Sequence, residues 1–167
     1  MSNERSGWQG TAVALAVGGP LVLGATLGIP SGVSRVMKEA LMLPGLTLGL
    51  TLMMAPALYI GMSLAGAAPP ASQVGASFAR ALRACGTVMA GVAPATAFLL
   101  ATTQSHAFVQ GFGVLAVGGA TLAGLRSLWG EIIANADSRL RSMPVFAAWA
   151  VVSLGLGTHL FFSMLNA

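Results

Sequence analysis

Along this chain, stretches of about twenty apolar residues alternate with short polar ones. The pattern predicts helices over 11–29, 43–64, 85–102, 107–125 and 145–164, each near the length that crosses a roughly 30 Å hydrocarbon layer. None has Lys, Arg, Asp or Glu at its middle, as the cost of a central charge requires. Ahead of the second, "SRVMKEALML" repeats apolar residues at helical spacing and predicts an interfacial helix over 33–42. Two helices are expected to outgrow the layer. From Ala71 to Thr102 only Pro94 interrupts, and the fourth span can continue past Arg126 through Glu131 towards Asn135. The first span follows a short segment with one Arg and is expected as a retained helix, not a removed signal. The fold class is all-α, a polytopic membrane bundle of five transmembrane helices forming one domain over 1–167.

The second span, "LPGLTLGLTLMMAPALYIGMSL", would break in water at its prolines and glycines. In lipid the backbone must satisfy its own polar groups, so the run becomes helical. The glycines are then expected to pack helices. Gly45 and Gly49 are four apart, as are Ala57, Gly61 and Ala65. The same spacing recurs at Gly24/Gly28, Gly86/Ala90, Ala116/Ala120/Gly124 and Ser153/Gly157, and such faces let helix backbones approach closely. Pro20, Pro56 and Pro94 lie inside spans and predict kinks.

Composition agrees with the pattern. Of 167 residues, 56% are hydrophobic and 7% charged, against about 25% charged in a soluble domain. The charges also set an orientation. Arg5, Arg80, Arg83, Arg126, Arg139 and Arg141 fall on the N-terminal side of a five-span chain, and only Arg35 and Lys38 on the other. That bias places the N-terminus inside and the C-terminus outside. Arg80, Arg83, Arg126, Arg139 and Arg141 are the candidates for headgroup and cytoplasmic contacts. The bases stand singly or in pairs without interleaved aromatics, which argues against a nucleic-acid partner.

Candidate chemistry adds little. "GFGVLA" fits a dinucleotide-binding pattern but lies inside a span without the strand or downstream acid that motif needs. His159 is the one ionisable side chain well inside a span, and its own face offers only Ser163 and Gly155. A neutral imidazole hydrogen-bonded to a neighbouring helix is the simpler reading; proton relay is the functional one. His106 reads as a residue of the outer interface. Met53, Met54, Met62 and Met89 are expected as adaptable packing, and Cys85 as a small buried hydrophobe. No Ser–His–acid set, metal site or paired carboxylates can be assembled, so neither an enzyme nor a cofactor is expected. A transport site usually adds a buried charge, and none is legible here.

"KEALMLPGLTLGLTLMMAPALYIGMSLAG" resembles the second span of a family of small, uncharacterised bacterial membrane proteins with five spans. The shared progression is carried here by Lys38, Leu43-Pro44, Thr47 or Thr51, Pro56, Tyr59, Leu64 and Gly66, and "GVAPATAFLLATT" is similar to its third span through Pro94 and Phe98. The five-helix plan is also similar to Yip-type proteins in architecture alone. The resemblance implies a multi-pass protein of a bacterial inner membrane and no activity. The expected role is a non-enzymatic anchor or scaffold subunit, with the lipid bilayer and other membrane subunits, or itself, as partners. A small transporter or channel subunit, with a site at the kinked helices, is the alternative.

Overall fold

A computed structural model describes residues 2–29, 32–103, 106–133 and 139–165, with side-chain surroundings for 13–29, 32–103, 108, 111–132 and 141–163. The described residues form α1 (Ser2–Gly28), α2 (Val33–Leu64), α3 (Ala71–Thr102), α4 (His106–Leu128), a π-helical turn (Trp129–Ile133) and α5 (Arg139–Leu165). Four helices, α2, α3, α4 with its π turn, and α5, are long and apolar enough to cross a membrane; the described apolar part of α1, Val13–Gly28, is shorter. At 32 residues each, α2 and α3 run about 48 Å at 1.5 Å per residue, beyond a roughly 30 Å hydrocarbon layer.

Helix ends follow local chemistry. Gly32, with φ 95°, offers its carbonyl to the amides of Arg35 and Val36 and starts α2. At the other end Gly66, with φ 66°, closes α2: its amide bonds Ser63 O and the Ala67 amide bonds Met62 O. That pair of bonds is the glycine-terminated helix end that only a residue without Cβ adopts at low cost. Pro69 and Pro70 follow, and Pro70 O receives the first amides of α3. Inside the helices, Thr51, Thr96, Thr121 and Thr158 each donate a hydroxyl to the carbonyl four residues back, which hides the polar group from lipid. The segment 33–42 is no separate interfacial helix. It is the first part of a continuous α2, which runs through Pro44 and Pro56.

The chain forms two compact units. The first comprises Met1–Gly45 and Leu82–Gly124. Here α1 packs on α3 backbone to backbone: a methyl at Gly19 would overlap the Gly86 carbonyl, and one at Gly86 would overlap Leu15 O. Further along α1, Gly24 lies on Glu39 and Ala40 of α2, and Gly28 on Val36. Leu23, Leu43, Met89, Ala93 and Ala120 are buried around these crossings.

The second unit comprises Leu46–Ala81 and Leu125–Ala167. Its core gathers Leu58, Met62, Val74, Phe78, Ala81, Leu128, Ile132 and Phe146. Phe78 meets Trp149 edge-on at 5.9 Å between ring centroids, and Trp129 meets Phe146 at 5.4 Å. The Trp149 indole donates to Met54 O at 2.8 Å. At Gly61 a Cβ would come within 2.8 Å of Val145, and at Gly157 within 3.2 Å of Leu50. Thus α5 runs antiparallel to the later part of α2.

Candidate functional site

Polar side chains converge where α3 meets the π turn in the second unit. Arg80 pairs with Glu131 through two parallel contacts, Nε to Oε1 and the terminal nitrogen Nη2 to Oε2. The first is a charge-assisted hydrogen bond, and the second is an ion-pair contact in which Oε2 accepts no hydrogen bond of good geometry. The pair joins residues 51 apart in sequence. The wider π turn changes the direction in which Glu131 leaves its helix relative to an α-helical continuation, and such turns are often found at functional positions. Ser77, one turn before Arg80 on α3, is fully buried. Its hydroxyl lies beside the Glu131 carboxylate but makes no hydrogen bond of good geometry. Ser142 of α5 is also fully buried, and it is partnered.

The pair stands level with apolar surface. Phe78 touches Trp149, which reaches Met54 O, and Arg80 is two residues further, about 3 Å along the axis. Next to Met54, Leu52 and Met53 are 75% and 67% exposed. This unit thus exposes apolar side chains suited to hydrocarbon and also carries a charge pair, half of whose arginine remains exposed.

The other residues singled out in the sequence divide. Gly24, Gly28, Gly61, Gly86 and Gly157 each face a neighbouring helix, and Gly124 is buried. Gly45 and Gly49 are exposed on α2, and a Cβ at either meets nothing within 4 Å among the described residues. Pro20 is buried, Pro56 and Pro94 are exposed, and helix continues through all three. Of the expected headgroup arginines, Arg80 is engaged by Glu131, and Arg83 is half-buried with a partner of its own. Arg126 and Arg141 are exposed; the side chain of Arg139 lies outside the described residues. His159 is exposed on α5, and the expected interhelical hydrogen bond is not formed among the described residues. Ser163 is exposed and Cys85 half-buried; the side chain of His106 is outside the described residues.

Sequence reasoning missed two features. It left Arg80 and Glu131 as separate border charges, although both lay on helices expected to outgrow the membrane on one side. It also found no buried charge, whereas Glu39 is only 8% exposed. Four residues after Arg35 and next to Lys38, Glu39 reads as part of a solvated border; its burial comes from α1, whose glycines admit α2 closely.

No protein-family model, curated protein or solved structure matches this chain.

Proposed function

We propose that this chain is a five-span, N-in/C-out protein of a bacterial inner membrane, acting as an anchor or scaffold subunit in a larger membrane assembly. The observation that carries the reading is the outward face at Gly45 and Gly49. These glycines are spaced four apart on an apolar helix, and no atom of the described residues stands within 4 Å of a Cβ at either. A smooth face of that kind lets a second helix approach to backbone contact, where association in lipid rests on packing. Gly111 and Gly119 on α4 and Gly155 on α5 are likewise bare and exposed. The likeness of the second and third spans to the small five-span bacterial family supports the topology.

The experiment replaces Gly45 and Gly49 together by Leu in the full chain and follows assembly by cross-linking in membranes and by the mass of the purified complex. The monomer should fold with unchanged stability, since both positions are open, while its association should be lost. Undiminished assembly in the double variant would show that this face looks at lipid and would remove the support for a scaffold. The alternative, a small transporter or channel subunit, is favoured by one observation, the buried Glu39. Solute flux in liposomes containing the purified chain alone would place it first.

A further inference from the structure

Glu39 is an acid that the Arg80–Glu131 pair does not account for. It lies on the side of α2 against which α1 packs. A methyl at Gly24 would overlap the Glu39 carbonyl and stand 3.1 Å from the Ala40 Cα; one at Gly28 would stand 2.6 Å from the Val36 Cα. Gly24 precedes the end of the apolar stretch Val13–Gly28 by one turn, about 6 Å along the axis. Glu39 therefore sits about one turn inside the apolar end of α1. It is 8% exposed, and no hydrogen bond or ion pair reaches its carboxyl among the described residues.

The charges that act on it are Arg35, one turn earlier, and Lys38, its neighbour, both exposed and both on α2 itself. Opposite, α1 presents no ionisable residue, since Glu4 and Arg5 stand at its far end. Of the rest of this unit, α3 contributes Arg83 and Cys85 where its part begins, and α4 contributes His106 at its start. Burial of the side chain makes its carboxylate more costly, while the two flanking cations favour it and its oxygens keep some contact with the surface. Opposed influences of this kind suit a group that changes its protonation.

We propose that Glu39 is a proton-binding site: its carboxylate takes a proton from the aqueous side at the start of α2, forming an O–H bond, and returns the proton there. Arg35 and Lys38 stabilise the ionised form, and the α1 contact stabilises the neutral one. The site stands independently of the scaffold reading, and it gives the transporter reading the buried titratable group that its sequence lacked.

Dicyclohexylcarbodiimide, an apolar reagent that attacks protonated carboxyl groups, tests this on the full chain in liposomes at neutral pH, with peptide mapping by mass spectrometry. The adduct should map to Glu39 and not to Glu131, its yield should fall as pH rises, and it should vanish in Glu39→Gln. Infrared spectra should show a protonated-carboxyl band in the unaltered protein that Glu39→Gln lacks. Because mapping is done on the unaltered chain, the result does not depend on how the variant folds. An unlabelled Glu39 in folded protein, or equal labelling of Glu131, would overturn the proposal.

Discussion

A glycine in this protein matters where another backbone lies against it, and little elsewhere. Gly19 and Gly86 meet across α1 and α3 with carbonyl oxygens where a Cβ would stand, whereas Gly91, also on α3, faces open space. Neither helix can yield locally, because the obstructing atoms are main chain. Gly86→Ala should therefore destabilise the folded chain by about 1–3 kcal/mol, the usual cost of overpacking. Gly91→Ala should be neutral or stabilise by up to about 1 kcal/mol, the helix-propensity gain. Unfolding in mixed detergent, followed by circular dichroism, separates the two; equal stability of both variants would mean that α1 and α3 do not touch there. The same contrast marks what was legible. Spacing four apart picks out Gly24, Gly28, Gly61, Gly86 and Gly157, and at each of the five a Cβ would meet atoms of a neighbouring helix. It passes over Gly19, which has no small residue four away on its own helix, and it marks Gly45 and Gly49 for helix association, where a Cβ meets no described atom within 4 Å. A repeat of small residues reveals a smooth face but does not say which way that face turns.

At the scale of elements, the apolar runs and their breakers carried most of the information. The length of α3 follows from a segment with nothing but Pro94 to stop it, and the end of α2 from Gly66 and the prolines after it. The π turn was not legible, because "WGEII" carries no propensity that distinguishes it from α-helix; what favours it is where its side chains arrive. Its consequence is the Arg80–Glu131 pair, which ties α3 to the end of α4. Both side chains remain partly exposed, at 49% and 27%, so the tie resembles a surface pair more than a buried one. A double-mutant cycle with Arg80→Met and Glu131→Gln should give a coupling of about 0.2–1 kcal/mol, the range of exposed pairs. The coupling should shrink in about 1 M salt, where the screening length falls to about 3 Å. A coupling of zero at low salt would show that the pair contributes nothing to joining these helices. A value well above that range would place it in hydrocarbon, where charges interact more strongly.

For the whole molecule, the sequence makes the helical, membrane-suited character plain, since 56% hydrophobic residues arranged in long runs leave no other class. It does not reveal the division into two units. Composition hardly changes along the chain, and all three boundaries fall inside helices, at Gly45–Leu46 of α2, Ala81–Leu82 of α3 and Gly124–Leu125 of α4, with no Pro/Gly/Ser-rich linker to mark them. Orientation rests on charge alone. Six of the eight basic residues fall on the N-terminal side of a five-span chain, and the Arg35–Lys38 exception lies beside a buried acid. Arg126 and Arg141 are both exposed, and in the proposed N-in arrangement they would hold the inner border against anionic headgroups. A reporter at the N-terminus should therefore be cytoplasmic, and alkaline phosphatase fused to the C-terminus should be active. The sharper form of the test changes the balance. Replacing Arg126 and Arg141 by Glu together should lower phosphatase activity per fused molecule by letting a fraction of chains insert inverted, because loop bases near helix ends set insertion. Replacing Arg80 by Glu should do less than either exposed arginine, since its charge is already offset by Glu131. An inactive C-terminal fusion in a well-expressed, folded chain would mean an even number of crossings. In that case α1, the helix whose described apolar part is shortest, would be the first to lose its place as a span.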